Sequence, residues 1–572
     1  MSFIYFIILI GVLIFVHELG HFLFAKLFGV KVLRFSIGMG PKMVGFTRGE
    51  TEYVICWLPL GGYVRMLGFE LDEVEELSEE DRGRSLMMQP IWQRAIITLA
   101  GPVFNLILPL IIYFIAGMMQ TTAPPSVVGE VFAETPAAEA GLQAGDQITR
   151  LDDTPITYWH ELNQFMGDAY DREVALTYTR DGESQTVSVR PEKKTSTDFM
   201  GLHVRTYGML GIHQQPYGAT IGLRNPDSPA AKAGLQTFDR VININGESIT
   251  RYDEIESIVR QSEGKPLKML VMHRRAIDTD YARFYAQQPA EIEVRAEKID
   301  GVYSLNLDSA EMYLSKVDAD SPAALAGLRT GDKVLAIDGR VYSNFAQLSR
   351  QIINEVNEGV VAQKAEGVDE PKIELEYKLT YERDEQVHET TFAPIVRKYK
   401  GHGDQPVYRV VFGWGHLSER VEPDEIDFPA LTRAGFAASQ AIEETTNFSK
   451  MIVMGFVRMA QGRVGMDNLG GPIMIGELAA EAGKAGWGPF LQMMALISIN
   501  LGVINLLPIP MLDGGHLLLY ALEAIKRGPL SYRTRQVAAY VGISIIVFLM
   551  VFAFKNDIER NWDSIAAWIN NL

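Results

Sequence analysis

Apolar residues gather into four long runs along this chain, at 3–28, 95–118, 489–512 and 537–554. Each is long enough, or nearly so, to cross a bilayer core as a helix. Between the second and third runs, residues 119–488 are mixed in character and read as strands and short helices. Behind the first run, Thr51 to Val64 reads T-E-Y-V-I-C-W-L-P-L-G-G-Y-V. β-Branched and aromatic residues bounded by glycines predict a β-hairpin there, within 36–66. A hairpin this apolar can dip into the bilayer where protein covers its backbone; a small soluble sheet is the alternative. Glu70 to Asp81 is acidic and predicts a solvated loop. Residues 430–466 predict an amphipathic helix, with a stripe of Phe448, Met451, Ile452, Met454, Phe456 and Val457. That stripe suits the bilayer interface, or ordinary packing. Asn468-Leu-Gly-Gly-Pro-Ile473 predicts a sharp turn back toward the membrane. The expected architecture is an α-helical polytopic membrane protein with four transmembrane helices and a re-entrant β-hairpin. Its membrane parts are 1–118 and 467–572.

The stretch between contains an internal repeat. Pro136-Ala-Ala-Glu-Ala-Gly-Leu-Gln-Ala-Gly-Asp146 recurs from Pro229 to Asp239 and from Pro322 to Asp332, 93 residues apart each time. An alternating strand and a turn follow each copy, at Gln147–Asp153, Arg240–Gly246 and Lys333–Gly339. A short helical period comes next, at Trp159–Met166, Tyr252–Val259 and Phe345–Ile353. A period near 90 is too long for a solenoid and predicts three small tandem domains, 126–212, 213–307 and 308–416. The repeat resembles the bacterial, permuted PDZ domain, marked by Gly-Leu-x-x-Gly-Asp before a strand. That resemblance implies α+β, β-rich domains that take a peptide as an added strand; plain spacer domains are the alternative. The second copy carries Phe238 where the glycine should stand, which predicts a disturbed turn and groove. Three bodies each about 25 Å across could also roof the opening and act as a size filter.

Charge narrows the partners. A net charge of −18 without a basic stripe excludes nucleic acid. The single cysteine, Cys56, excludes an internal disulfide and a cysteine metal site. The first run lacks a basic start and a small-residue cleavage site, so it is not a removable signal peptide. Lys26, Lys31, Arg34, Lys42 and Arg48 follow the first run; Arg82, Arg84 and Arg94 precede the second; Lys526, Arg527, Arg533 and Arg535 precede the fourth. If the spans alternate, these clusters share one side, which is then cytoplasmic. Both termini and the repeats are then expected outside.

Inside the first run stands His17-Glu18-Leu19-Gly20-His21. On a helix the two histidines lie four apart on one face, able to share a metal ion. Glu18 lies about 100° round, placed to handle a proton rather than to ligate. Ionisable groups at membrane depth are costly unless they have a function. A catalytic zinc takes three protein ligands, so a third is needed. The second and fourth runs contain no Asp, Glu, His or Cys. The end of the third reads Asn505-Leu-Leu-Pro508-Ile-Pro510-Met-Leu-Asp513-Gly514-Gly515-His516, which leaves Asp513 and His516. Two prolines and a Gly-Gly pair there are expected to break the helix and aim a carboxylate inward. In the second run, Asn105 wants a partner across a helix interface, for packing or in the active-site shell.

These motifs together resemble the site-2 protease family of intramembrane zinc metalloproteases, over nearly the whole chain. The PDZ-like repeats narrow the resemblance to the group of the bacterial regulator of sigma-E protease. It implies Zn²⁺ held by His17, His21 and Asp513, with Glu18 as general base. It implies that Asn505, Pro508 and Pro510 shape the site and receive substrate. Gly38, Gly40 and the strand region from Tyr53, Val54 and Ile55 through Gly61 and Gly62 correspond to a re-entrant β-loop holding substrate extended. The implied substrates are single-span proteins of the bacterial inner membrane: an anti-sigma factor trimmed beforehand, in an envelope stress response, and remnant signal peptides. That group commonly has two PDZ domains, and this chain has three such repeats. A membrane scaffold or chaperone with a vestigial metal site is the second expectation; a transporter is disfavoured because the four runs show no inverted repeat.

Overall fold

The computed structural model describes residues 2–68, 77–197, 204–278, 283–299, 301–366, 368, 371–400, 406–417, 419–461, 470–560 and 562. It divides into two compact units, one mainly from Met1–Thr121 and Phe428–Leu572, the other from Thr122–Thr197 and Val204–Asp427.

The first unit is built on helices α1 (Ser2–Leu27), α2 (Ile91–Met119), α3 (Ala430–Ala460), α4 (Pro472–Ala485), α5 (Trp487–Leu506), α6 (Asp513–Lys526) and α7 (Tyr532–Arg560). Among the described residues, α1, α2, α5 and α7 are long and apolar enough to cross a membrane. Two boundaries differ from the sequence pattern. The third run stops being helical at Leu506, because Pro508 and Pro510 bring no backbone N–H to a helix. The fourth continues to Arg560, beyond its apolar part. Helix α4 is one that the pattern missed; only a turn was expected at its start. Its N-terminus is held by a buried carboxylate on α7: Gly471, Ile473 and Met474 donate their N–H groups to Asp557 at 2.9, 2.9 and 3.2 Å. Helix α3 packs on α2, where a Cβ on Gly117 would lie 2.7 Å from that of Ala437. Residues 462–469, the rest of the expected amphipathic helix and the start of the turn, lie outside the described residues, as do 70–76 of the acidic run. Its end forms a helical turn, Glu79–Gly83, with Asp81 paired to Lys31 at 2.8 Å.

Helices α1 and α2 approach closely at Gly20, where a Cβ would meet the Ala100 carbonyl oxygen at 2.4 Å. Between these helices the chain forms strands β1 (Val32–Arg48) and β2 (Thr51–Met66), each bent so that the hairpin is a sheet of four segments. Phe35, Ser36 and Ile37 pair with Val64, Tyr63 and Gly62 on one side and with Tyr53, Val54 and Ile55 on the other. Residues 51–55 in turn pair with Val44–Arg48, so 42–48 and 62–66 form the margins.

In the second unit each repeat has its own apolar core, centred on Ile148, Leu151 and Leu176, on Val241, Ile244 and Val271, and on Val334, Ile337 and Leu379. The first repeat lays Thr154–Pro155, Gln147–Leu151, Val174–Arg180 and Glu183–Val189 side by side in one sheet, and the other two repeat this order. A helix accompanies each sheet: Trp159–Met166, Tyr252–Gln261 and Phe345–Ala365, the last longer than its sequence period. Short strand pairs close the repeats, Glu130–Val131 with Ile212–His213, Ile221–Leu223 with Leu307–Ser309, and Leu314–Val317 with Trp414–His416. The Phe238 turn is a correction. It keeps its shape, with φ of 77° at Phe238 beside 90° at Gly145 and 96° at Gly331. The following aspartate closes each turn by accepting the N–H three residues back, at 2.7 Å for Asp146, 2.8 Å for Asp239 and 2.6 Å for Asp332.

Candidate metal centre

Three donors converge in the first unit. The Nε2 atoms of His17 and His21 lie 3.2 Å apart. Asp513 places Oδ2 3.2 Å from His17 Nε2 and Oδ1 3.5 Å from His21 Nε2. A tetrahedral zinc with ligands at about 2.0–2.1 Å sets its donors about 3.3 Å apart, which the His17–His21 and His17–Asp513 spacings match, while each histidine meets a different oxygen of Asp513. The chemistry fits as well. His21 Nδ1 stands 2.8 Å from the Ile97 carbonyl oxygen, which can only accept. The proton is therefore on Nδ1, and Nε2 points a lone pair at the other donors. Three electron-rich atoms facing one another in a half-buried site are stabilised by a cation.

Local structure explains the convergence. The i, i+4 spacing on α1 brings the histidine rings edge to face with centroids 4.8 Å apart. Asp513, the first residue of α6, arrives there through the connector 507–512, with a positive φ of 81° at Met511. The Gly514-Gly515 pair does not break this helix, as the pattern suggested, but opens it. Cβ atoms there would lie 2.3 Å from the carbonyl oxygens of Leu506 and Ile509 respectively. Arg94 of α2 and Glu523 of α6 pair at 3.0 Å in the interior, and Arg535 of α7 joins Glu523. This pairing holds α6 against its neighbours. Gly101 of α2 faces both rings; a Cβ there would sit 2.3 Å from His21 Nε2 and 2.9 Å from His17 Cε1.

Of the two candidates for the third donor, Asp513 joins the histidines and His516 does not; the convergent group among the described residues is His17, His21 and Asp513. Glu18 faces β2 beside Gly62. Gly62 lets the strand pass there, since a Cβ would approach Glu18 Cγ to 3.2 Å and Ser36 O to 2.8 Å. Gly38, Gly40 and Gly61 all take left-handed backbone, at 87°, 86° and 86°. Tyr53, Val54 and Ile55 sit centrally, paired on both sides. A strand added to this sheet by pairing therefore meets a margin instead of these three. Asn505 ends α5, and Pro508 and Pro510 lie in the connector to Asp513. Two partners escaped the sequence pattern: the Ile97 carbonyl, which leaves no residue-type signal, and Asn105 as a neighbour of His17.

The profile of Peptidase family M50 matches residues 5–549. The chain belongs to Peptidase family M50. Its membership, with relatives named zinc metalloproteases, makes it a zinc metallopeptidase. It is similar along its length to the Regulator of sigma-E protease RseP of Escherichia coli K12, with 29% identity covering 97% of this chain and 98% of that protein. A Vibrio cholerae protein with the provisional name zinc metalloprotease is 28% identical, covering 98% of each. Protease RseP of Yersinia pestis is 26% identical, covering 97% of this chain and 98% of its own.

Proposed function

We propose that this M50 member hydrolyses a peptide bond within the membrane segment of single-span proteins, with His17, His21 and Asp513 holding zinc and Glu18 moving the proton. The observation that carries the reading is the donor triad set among helices long and apolar enough to cross a membrane, with Glu18 beside it. When bound, zinc supplies Lewis acidity that polarises a peptide carbonyl and activates water. The Glu18 carboxylate takes a proton from the attacking water and delivers it to the leaving amide nitrogen. The substrate must unwind first, because helical carbonyls are already hydrogen-bonded. A margin of the β1–β2 sheet is suited to hold it extended. Met39, Met43, Val44, Phe46, Trp57 and Leu58 are exposed on that sheet, which fits a hairpin dipping into lipid.

The substrates of this reading are an anti-sigma factor trimmed beforehand, and remnant signal peptides, in the bacterial inner membrane; the similarity to the regulator of sigma-E protease supports it. The basic clusters favour both termini and the repeats outside. In the PDZ-like first repeat, a groove of about 410 Å³ runs between Trp159–Met166 and Tyr207–Ile212. The matching groove of the second repeat, beside Val302–Leu305, holds about 140 Å³. The first is the better peptide site. The test is metal analysis of purified full-length protein beside cleavage of a model transmembrane peptide. Stoichiometric zinc with cleavage abolished by Glu18→Gln supports the proposal. Zinc without any cleavage would favour the scaffold.

A further inference from the structure

Asn105 is wholly buried in α2, and its side-chain amide lies 3.1 Å from Nδ1 of His17. We propose that Asn105 is a positioning residue: its amide oxygen receives the Nδ1 proton of His17 and so keeps Nε2 free for the metal. The inference rests on the metal reading above. A histidine that ligates through Nε2 carries its proton on Nδ1, which is then a donor and needs an acceptor. His21 has one in the Ile97 carbonyl. Among the described residues, His17 Nδ1 meets the amide of Asn105. The amide nitrogen is a donor too, so the end facing Nδ1 must be the oxygen. A half-turn of the planar group achieves this in place.

The same residue is fixed through its backbone. In an α-helix the carbonyl of residue 105 would accept the N–H of residue 109, but that residue is Pro109. The freed carbonyl instead accepts the hydroxyl of Ser498 on α5 at 2.7 Å, inside the protein. Ser498 thus pins Asn105 at the height of His17, and the histidine, the amide and the hydroxyl form one chain across three helices.

The test uses full-length protein in detergent, with zinc affinity read by chelator competition and site geometry read from the absorption bands of the cobalt-substituted protein. Asn105→Leu removes the acceptor at similar size and is expected to lower zinc affinity 10- to 100-fold, the usual loss for an outer-shell partner. Asn105→Asp keeps an acceptor oxygen and is expected to stay near the natural affinity with an unchanged cobalt spectrum. Ser498→Ala is expected to shift that spectrum with a smaller loss. A mere packing role would make leucine and aspartate equally harmful. The inference falls if Asn105→Leu binds zinc normally, or if Asn105→Asp is as weak as leucine. Should leucine not fold, Asn105→Ala takes its place against aspartate. If the unaltered protein holds no zinc, the metal reading itself has failed.

Discussion

Gly101→Ala isolates the metal centre from the fold. Alanine is the better helix former, by about 1 kcal/mol relative to glycine, so α2 gains in propensity. The new Cβ would nevertheless lie 2.3 Å from His21 Nε2 and 2.5 Å from its Cε1. Ordinary contact begins at 3.4 Å, so the ring must move by 3.4 − 2.3, about 1.1 Å. Metal–ligand distances tolerate about 0.2 Å, roughly a fifth of that displacement. The ring is the end of a side chain and can swing away, whereas its Nδ1 bond to Ile97 cannot survive the swing. The expected result is a folded protein that has lost its zinc. Affinity should fall at least about 100-fold, at or beyond the upper end of outer-shell losses, and peptide cleavage with it. Chelator competition and a thermal melt on one sample decide it. Gly11→Ala, with nothing within 4 Å of the new Cβ, is the control and should behave as the natural protein. Unchanged zinc affinity in Gly101→Ala would refute the ring placement, and loss of fold in both variants would refute the claim that propensity is preserved.

Glu18→Gln should keep zinc and lose at least about 100-fold in turnover, the scale of a general base; metal analysis beside a cleavage assay checks it. Asp513→Ala should lose both zinc and activity, while His516→Ala should keep zinc; the reverse pattern would transfer the third ligand to His516. Val54→Pro removes a ladder donor from a segment paired on both sides and should lower cleavage at least tenfold without unfolding the helices, as peptide assay and thermal melt would show. In the second unit, burial pushes the Asp308 carboxyl up, but Arg224 and Lys333 outweigh it and hold it below its usual value. Its stabilisation is therefore complete above the unfolded value of about 3.9 and is lost as pH falls through the lower folded value. Hydrogen exchange around the second and third repeats should rise below about pH 4, and Asp308→Asn should flatten that rise.

The part of the centre written in the sequence is the part set by a local period. His17 and His21 meet because four residues make about one turn, whatever else the chain does. Asp513 was legible only down to a choice of two, because spacing cannot say which end of a broken helix faces inward. The structure brings Asp513, the first residue of α6, to the histidines, while His516, further along that helix, turns its ring toward Tyr520 at 6.5 Å. Asn105 announced itself as a polar residue in an apolar helix, without its partner. That partner is 88 positions away and depends on the height of α2 against α1, which the contact of Gly20 with Ala100 fixes. Pro109 was the overlooked signal, since a proline four residues on always frees a carbonyl. In the hairpin the pattern marked strands but not that β1 and β2 each bend to pair twice, which makes Tyr53–Ile55 central.

Phe238 shows why a motif departure need not mean a lost structure. A left-handed residue other than glycine costs about 1–2 kcal/mol, which read alone predicts a damaged turn. Its ring, however, is 8% exposed and packs with Ala310, Tyr313 and Leu417, beneath the guanidinium of Arg274. Burying a phenylalanine is worth about 3–5 kcal/mol against alanine, so packing outweighs strain. The contacts reach beyond the repeat that owns the residue, and other buried groups do the same. Glu130 of the first repeat accepts from Tyr217, pairs with Arg420 at 2.6 Å and takes the Asn344 amide at 3.4 Å. Asp308 bridges Arg224 and Lys333 at 2.5 and 2.6 Å. Charges buried this way cost several kcal/mol when one partner is removed, so each repeat is held by its neighbours as well as by its own core. A turn that would be strained in an isolated domain is thereby stable in a tandem one, because a neighbouring repeat receives the ring.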